Sequence, residues 1–378
     1  MSLGNPLGNP LGNPLGLARS SGGAGTRIGD IVTSPTHPGP NFIEADGRQL
    51  SKAMYPKLYS AIGDAYSVAD FTAGFSAVTL PAAQSWSSIA YGNGVFVAIA
   101  NNGQRVSAVS SDNGLTWQLG GQLPVSPSWA SITFGNGVFV AVGNSGVSAT
   151  STDGLIWTAG TMPATANWRA VAYGNGIFVA IAYGAGYCAT SPDGVTWTQR
   201  TSMGTYNWAG LAFGGGRFVI TSATGVSQTG AAYSLDGIVW AQTLIPSGSG
   251  FSSVAYGNGV FVAVANGSAS TAVSSNGINW SLGAASGSNA WTAVAFGAGF
   301  FYATSVAFMT SKNGFIWDGL GASLLSGTSA IAFGAGVFIS VISGSSSAMR
   351  RGVYSPITFN LPKTTPLDNR STAYIKVA

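Results

Sequence analysis

The sequence predicts a mainly β protein, in which a seven-bladed β-propeller is inserted in a small α+β domain preceded by an extended N-terminal peptide. Seven aromatic-Gly-x-Gly motifs recur every 37–43 residues, and six copies of a second motif follow them at fixed internal spacing. The strand that the last repeat lacks is found ahead of the first repeat. A period of about 40 residues built from short strands is typical of propeller blades.

Each repeat predicts four strands. In the third repeat, residues 168–173 and 177–181 read as strands joined by the tight turn 174–176, whose glycines can supply positive φ. A third strand covers residues 187–190, and the fourth begins at Trp197. The seven hairpin turns are residues 91–94, 134–137, 173–176, 213–216, 256–259, 296–299 and 333–336.

The second motif, S-x-[DN]-G-x-x-W, predicts a structural turn. Asp or Asn can accept backbone N–H groups there, and we expect the Trp ring to be buried between blades. The first copy, Ser111 to Trp117, contains both Asp112 and Asn113 and fits either of two spacings. The motif resembles the Asp box of sialidase-like propellers, shortened by one residue in five copies, and the resemblance implies a structural role. Its residues are Asp112, Trp117, Asp153, Trp157, Asp193, Trp197, Asp236, Trp240, Asn276, Trp280, Asn313 and Trp317.

The ring is predicted to close with strands from both ends of the propeller. Residues 349–352 stand where a seventh box belongs but have lost its Ser, Asp and Trp. Residues 75–80, followed by Trp86, match the outer strand of the second repeat. We therefore expect residues 75–80 to complete the last blade, which hides the edges of its sheet.

The segments flanking the ring resemble the phage tail collar domain. The resemblance rests on Gly29-Asp30-Ile31, on Asp46-Gly47 with Leu50-Ser51, on residues 55–63 and on residues 359–362. Residues 372–377 also look like the final strand of phage tail fibre proteins. The segment 50–63 is the best helix candidate, with Ser51 as its N-cap and Met54 among its apolar positions. The predicted domains are residues 26–74 with 353–378, and 75–352.

Residues 1–25 are predicted to form an extended attachment peptide and linker. Leu-Gly-Asn-Pro is repeated there, a pattern that favours β-turns, and a Ser/Gly stretch follows. The alternatives are a flexible tail and a docking peptide whose leucines enter pockets on a virion partner, with repetition raising the effective concentration. The leucines are Leu3, Leu7, Leu11 and Leu15.

Composition excludes several classes of function. Only 7% of residues are charged, the net charge is +4 and no long basic run exists, so we expect no nucleic-acid partner. No 18-residue apolar run and no signal peptide are present, so we expect synthesis in the host cytoplasm, no membrane insertion and a final place in the virion. The single Cys188 is predicted to be a small buried residue.

Catalysis is not expected. Glycoside hydrolysis needs two paired carboxylates, yet residues 82–352 hold no Glu and only five Asp, four of them in box turns. His37 is the only histidine and has no visible Ser or Cys partner. We therefore predict no enzyme activity, no cofactor and no metal site.

The loops between strands two and three, and those between blades, differ most among the repeats. They belong to one face, opposite the hairpin and box turns, and variation there favours a recognition surface. Their Asn, Gln, Tyr and Arg side chains suit sugar hydroxyls; the alternative is ordinary solvated loops. The candidate receptor-binding residues are Asn101, Arg105, Tyr183, Tyr187, Arg200, Tyr206, Asn207 and Gln228.

These observations predict a phage tail fibre or tail-tip protein. Its N-terminal and collar-like parts would attach to phage tail or baseplate proteins, with a homotrimer implied by the family resemblance. The propeller would bind a host-surface glycan or another envelope receptor without cutting it. The alternatives are a purely structural tail, collar or decoration subunit and, third, a glycan-cleaving enzyme.

Overall fold

The computed structural model shows two compact units. It describes residues 31–34, 42–45, 49–51, 54–55, 57–58, 75–103, 105–124, 128–201, 203–224, 230–246, 249–266, 268–283, 291–304, 307–323, 328–344, 346–353, 358–360 and 372–376. The flanking unit combines Met1–Thr72 with Ser355–Ala378, and the propeller unit is Ala73–Tyr354. The described residues are mainly β, and the predicted β-propeller is confirmed.

In the flanking unit, strands from the two ends of the chain pair with one another. Its strands are β1 (Ile31–Ser34), β2 (Phe42–Glu44), β3 (Gln49–Ser51), β30 (Thr358–Asn360) and β31 (Thr372–Lys376). The strand β31 lies between β1 and β2, antiparallel to both, and β3 pairs with β30. The N-terminal and C-terminal pieces therefore share two small sheets.

The predicted helix over residues 50–63 differs from the observed structure at its start. Lys57 and Leu58 are helical, and Leu58 is fully buried. Ser51, the predicted N-cap, is instead the last residue of β3 and pairs with Thr358. Met54 lies in a turn with 72% of its surface exposed, because the chain has left the strand but has not yet entered a helix.

Among the described residues of the propeller unit, the strands form seven antiparallel groups of four strand segments, which we call blades 1 to 7. Blade 1 is β5 (Trp86–Gly92), β6 (Val95–Ala100), β7 (Val106–Ser110) and β8 (Gln118–Gln122). Blades 2 and 3 share one six-stranded sheet: β9 (Trp129–Gly135), β10 (Val138–Ser151), β11 (Thr158–Gly174), β12 (Ile177–Ala182), β13 (Tyr187–Ser191) and β14 (Thr198–Thr201). The two blades form one sheet because β10 and β11 are long strands with two partners each. Residues 138–143 of β10 pair with β9 and residues 147–150 pair with β11. Residues 168–174 of β11 in turn pair with β12.

The other blades are four-stranded sheets. Blade 4 is β15 (Trp208–Gly214), β16 (Arg217–Ser222), β17 (Ala231–Ser234) and β18 (Ala241–Thr243); blade 5 is β19 (Phe251–Gly257), β20 (Val260–Ala265), β21 (Thr271–Ser274) and β22 (Ser281–Leu282). Blade 6 is β23 (Ala293–Gly297), β24 (Phe300–Thr304), β25 (Ala307–Ser311) and β26 (Asp318–Ser323); blade 7 is β27 (Thr328–Gly334), β28 (Val337–Ile342), β29 (Ser346–Val353) and β4 (Phe75–Gln84).

The predicted closure of the ring is confirmed. The strand β4 is the outer strand of blade 7 and pairs with β29, so that Val78 stands opposite Met349. Arg351, at the lost seventh box, donates from Nε to the carbonyl oxygen of Asn113 in blade 1, at 2.7 Å. The two ends of the propeller sequence are therefore joined by a strand ladder and by a side-chain contact to the first blade.

The hairpin turn between the first and second strands of each blade is a two-residue turn with positive φ at both positions. In blade 1 these residues are Asn93 (φ 46°) and Gly94 (φ 81°), a pattern that suits a type I′ hairpin. The amide nitrogen of Asn93 also donates to the carbonyl oxygens of Gly137 and Thr152 in blade 2, at 3.0 Å each. The hairpin thus fixes its own blade and contacts the next.

The first glycine of each Gly-x-Gly motif packs directly against an aromatic ring of the next blade. A Cβ at any of these seven positions would lie 2.0–2.1 Å from the Cγ of that ring. The glycine–ring pairs are Gly92–Phe134, Gly135–Tyr173, Gly174–Phe213, Gly214–Tyr256, Gly257–Phe296, Gly297–Phe333 and Gly334–Tyr91. The last pair joins blade 7 to blade 1, so the contacts form a closed cycle.

Two glycines of the same hairpin separate this packing role from the turn role. We expect Gly174→Ala to lower the free energy of unfolding by about 3 kcal/mol, because its methyl group would overlap the ring of Phe213. Gly176→Ala should cost about 1 kcal/mol, the strain of positive φ alone, since no atom lies within 4 Å of its Cβ position. Urea unfolding of both variants measures the difference, and equal stability would contradict the packing role.

Candidate functional site

The box turns are built by hydrogen bonds between a Ser, an Asp or Asn, and the local backbone. In blade 2, Asp153 Oδ1 accepts the N–H of Leu155 at 2.8 Å and the hydroxyl of Ser151 at 3.1 Å. The N–H of Gly154 donates to the Ser151 hydroxyl at 2.8 Å, and the indole of Trp157 donates to the Gly154 carbonyl at 3.0 Å. Both the carboxylate and the indole are therefore used by the turn.

The first box follows the longer of the two possible spacings. Ser110, and not Ser111, donates to Asp112 Oδ1 at 2.8 Å and accepts the N–H of Gly114 at 2.9 Å. The additional residue, Asn113, adopts a φ of 59°. Asp112 is thus the residue equivalent to Asp153, and Asn113 is an insertion that its left-handed backbone accommodates.

The box tryptophans lie at the contacts between blades. The indole of Trp157 in blade 2 donates to the Ser107 hydroxyl of blade 1 at 3.3 Å, and that of Trp197 in blade 3 donates to Ser148 of blade 2 at 3.0 Å. Four of the rings are buried: Trp197, Trp240, Trp280 and Trp317. Trp117 and Trp157 are half-buried.

Hydrogen bonds within the box turns lower the pKa of their aspartates. The hydroxyl and N–H of Thr116 hold the pKa of Asp112 at about 2. The N–H of Leu155 is the main cause for Asp153, whose pKa is also lowered. For Asp193, burial acts in the opposite direction, but the N–H groups that donate to it still bring its pKa below the usual value. The pKa of Asp236 is also lowered, mainly by the N–H of Val239.

Cys188 is buried, as predicted. Its Sγ lies 3.6 Å from the carbonyl oxygen of Gly237 in the next box turn, and burial raises its pKa to about 12. Ser148 makes the equivalent contact to Gly194 one blade earlier, at 2.9 Å. The thiol therefore replaces a hydroxyl in a contact between blades.

At the opposite end of the blades, the innermost strands surround a channel. Its wall comes from the first strand of every blade, for example Ser88, Ser131 and Ser253. These three hydroxyls accept the N–H of Ile132, Val171 and Val294 in the following blade. Much of the polar wall is thus already engaged in joining the blades.

The channel opens where the second strands end. A cavity of about 440 Å³ at this mouth is lined by Asn167, Arg169, Tyr183, Ala209, Ala223, Ser252 and Asn266. Asn101 and Asn144 line the same channel at equivalent positions of blades 1 and 2. The four asparagines are exposed, and no acidic side chain is among the lining residues. The mouth therefore offers uncharged donors and acceptors, one aromatic ring and one cation.

The structure separates the predicted receptor-binding residues into two groups. Asn101 and Tyr183 lie at the channel mouth, and Asn207 lies beside it, with its backbone carbonyl accepting the N–H of Ala223. Tyr187 and Tyr206 are half-buried against Trp168 and Trp208, with ring centroids 5.9 and 5.3 Å apart.

The predicted arginines lie on outer parts of the blades. Arg200 is in the outer strand β14, not in a loop, and donates to the Thr190 hydroxyl at 3.0 Å. Arg105 donates to the side chain of Gln122 at 3.3 Å. Gln228, His37 and the four N-terminal leucines, Leu3, Leu7, Leu11 and Leu15, lie outside the described residues. A receptor role for Arg105, Arg200 and Gln228 stays a prediction, as does a role of the four leucines in virion attachment.

Sequence reasoning missed Arg169 and the asparagines at positions 144, 167 and 266. Asn144, Asn167 and Arg169 lie within the long strands β10 and β11, and Asn266 directly follows β20. The available signal was a comparison of the repeats at the residue after the first Trp, where Arg169 stands among small residues. Tyr187 and Tyr206 attracted attention instead because they are aromatic and close to variable loops in sequence.

In the part of the chain that the structure covers, no group of three His, Cys, Asp or Glu is arranged to hold a metal ion. None of its helices is long and apolar enough to cross a lipid bilayer.

Comparison with known proteins supports the propeller. The DUF6242 beta propeller domain matches residues 74–209. No curated protein matches the sequence. YCF48 bound to a D1 peptide is similar over 74% of this chain and 95% of its own, with a TM-score of 0.58 and 16% identity. Virginiamycin B lyase from Staphylococcus aureus covers 74% of this chain and 98% of its own, with a TM-score of 0.65 and 11% identity.

The lowered pKa values predict acid sensitivity. A carboxylate whose pKa is depressed in the folded state stabilises the fold above its unfolded pKa of about 3.9 and loses that contribution as pH falls through the folded value. We expect the melting temperature to drop between pH 4 and pH 2, where Asp112 titrates. Changing Asp112, Asp153, Asp193 and Asp236 to Asn should flatten this drop, since Asn276 and Asn313 already form such turns.

The control for the acid experiment is Asp318→Asn, which lies in β26 outside the box turns. Its melting curve should keep the pH dependence of the unmodified protein. A quadruple variant that loses as much stability as the unmodified protein between pH 4 and pH 2 would show that the box carboxylates are not the titrating groups.

Proposed function

We propose that this chain is a non-catalytic recognition protein of a phage tail. The channel mouth of the propeller unit binds a glycan receptor on the host surface, and the flanking parts attach the protein to the virion. The observation that carries the binding proposal is the mouth itself: the exposed amides of Asn167 and Asn266 and the ring of Tyr183 line the cavity, and the exposed amides of Asn101 and Asn144 line the adjoining channel. None of these lining side chains is acidic.

The chemistry of the mouth favours a sugar. Each asparagine offers two donors and one acceptor in a plane, which matches adjacent sugar hydroxyls. None of the four amides is hydrogen-bonded to another described residue, in contrast to Asn93, Asn175 and Asn258, whose amides bridge neighbouring blades. Amides that the fold does not engage are free to bind a ligand.

The distribution of carboxylates argues against cleavage. The propeller unit holds five acidic residues, of which four accept hydrogen bonds in the box turns. This propeller unit has no histidine, since the single His of the chain is at position 37. A glycan-cleaving enzyme would therefore have to work without the pair of free carboxylates that glycoside hydrolysis ordinarily uses.

The virion assignment rests on the flanking unit. Its N-terminal and C-terminal strands pair around the propeller sequence, an arrangement in keeping with a collar-like domain that has received an insertion. The repeated Leu-Gly-Asn-Pro segment would bind tail or baseplate proteins, and the collar resemblance implies a homotrimer. The remaining alternative is a structural tail, collar or decoration subunit with no receptor.

Glycan binding by the full chain tests the recognition role. On an array of neutral and acidic bacterial glycans, we expect the unmodified protein to bind a defined subset. The double variant Asn101→Ala, Tyr183→Ala should lose at least about tenfold in affinity with an unchanged melting temperature, because Tyr183 lines the cavity and Asn101 lines the channel that opens at it.

The matched control is Asp153→Asn, at the box-turn end of blade 2, which should bind as the unmodified protein does. If no glycan is bound, or if the double variant binds as tightly as the unmodified protein, glycan recognition at the mouth is wrong and the structural-subunit alternative takes its place.

A further inference from the structure

The innermost strands carry a bulge at the same place in most blades. The pairing of the first and second strands skips one residue directly after the first position of the strand in blades 1, 2, 3, 4, 5 and 7. The skipped residues are Ser87, Ala130, Arg169, Ala209, Ser252 and Ser329. A bulge turns its extra residue away from the ladder, and bulges are common where a side chain must be aimed at a site.

At five of these bulges the side chain is small and, where it is polar, can serve the fold. The Ser87 hydroxyl donates to the carbonyl of Trp129 at 2.7 Å, and the Ser329 hydroxyl donates to the carbonyl of Trp86 at 2.6 Å. Both bonds join a blade to the next one. A small residue at the bulge is therefore sufficient for the propeller.

Arg169 is the exception at this position. Its side chain is exposed, lines the cavity at the channel mouth and makes no hydrogen bond or ion pair with any other described residue. An arginine that contributes nothing to the ladder, at a position where alanine is sufficient, has no structural reason to be there. Its presence points to a ligand.

Nothing in the propeller unit neutralises this charge. Its acids are Asp318, in the outer strand β26, and the four aspartates of the box turns. The box turns lie at the other end of the blades, and the part of β11 that separates Arg169 from that end, residues 169–174, spans about 20 Å. That separation exceeds the screening length of about 8 Å at physiological ionic strength. The guanidinium is thus an uncompensated cation at the edge of a polar cavity.

We infer that the channel mouth binds an anionic group of the glycan, with Arg169 as its anchor. The inference rests on the proposed glycan recognition and adds that the sugar is acidic, carrying a carboxylate or a phosphate. The planar guanidinium can donate two parallel hydrogen bonds to either group. Asn167 and Asn266 line the same cavity and supply neutral partners for the hydroxyls of that sugar.

A second observation supports a ligand in this cavity. The hydroxyl oxygen of Ser252 is buried and has no hydrogen-bond partner in the described part of the chain, although Ser252 occupies the same bulge position as Ser87 and Ser329. Ser252 lines the cavity together with Arg169. A cavity of about 440 Å³ falls within the range of small-ligand sites.

Ligand-observed NMR on the full chain tests the anion site directly. The probes are glucuronate and N-acetylneuraminate for a carboxylate, glucose 6-phosphate for a phosphate, and glucose as the uncharged reference. We expect saturation transfer to at least one acidic sugar and none to glucose at equal concentration. Raising the salt concentration should weaken the acidic signal, because the contact is between exposed charges.

Three variants assign the signal. Arg169→Gln should weaken binding of the acidic sugar about tenfold or more, whereas Arg169→Lys should retain part of it as a point charge. Arg217→Gln removes the same charge at a hairpin turn on the opposite face, where the guanidinium lies over the ring of Tyr233, and should change nothing.

The outcomes separate this inference from the glycan proposal. If glucose and the acidic sugars bind alike and Arg169→Gln has no effect, the anion site is wrong while glycan recognition stands. If none of the sugars binds and no glycan on the array is bound, both the anion site and glycan recognition are wrong. If acetyl-Ala-Ala competes more strongly than the acidic sugars, the anchor recognises a peptide carboxylate, and the acidic-glycan inference is overturned.

Discussion

The propeller unit depends on the contact between an aromatic ring of one blade and a glycine of the blade before it. The ring lies so close to the glycine Cα that no Cβ fits between them. Each ring also packs on a phenylalanine of its own second strand, as in the pair Tyr91–Phe96 with centroids 4.7 Å apart. The ring is therefore held between two blades, and its position sets how closely they approach.

Every blade contacts the next in the same way, and the series of contacts closes where Tyr91 of blade 1 packs on Gly334 of blade 7. The asparagines of the hairpin turns and the tryptophans of the box turns add further hydrogen bonds between neighbouring blades. Closure through β4 then removes the free edge that a terminal blade would expose. One end of the blades is thus occupied by turns that repeat from blade to blade, and the mouth of the channel is the end at which the repeats can differ.

The sequence predicted the parts of the structure that repeat. Hairpin turns, box turns and the closing strand were all found from spacing, because each needs specific residues at fixed separations. The role of the first glycine was missed, since the sequence shows a turn motif but not which ring covers it. Ser51 was misassigned because a serine before an apolar run can equally end a strand, and its partner Thr358 lies more than 300 residues away in the sequence.

The candidate site was harder to predict because it lies in departures from the repeat. Tyr187 and Tyr206 are conspicuous in the sequence, yet their rings pack against tryptophans and are half-buried. Arg169 is inconspicuous in the sequence, because it belongs to no recognisable motif. Its meaning comes from the bulge, which places it where five other blades have Ser or Ala.

In a repeat protein, a residue that all copies share is explained by the fold, and a residue that one copy changes requires another reason. The low charge of this chain strengthens that argument. With only 7% charged residues, few carboxylates are available to pair with a surface arginine, and those of the propeller unit are mostly engaged in turns. An unpaired guanidinium at the mouth of a polar channel is then a specific feature of the surface and not part of a general charge background, and a ligand that carries the missing negative charge is the partner it fits.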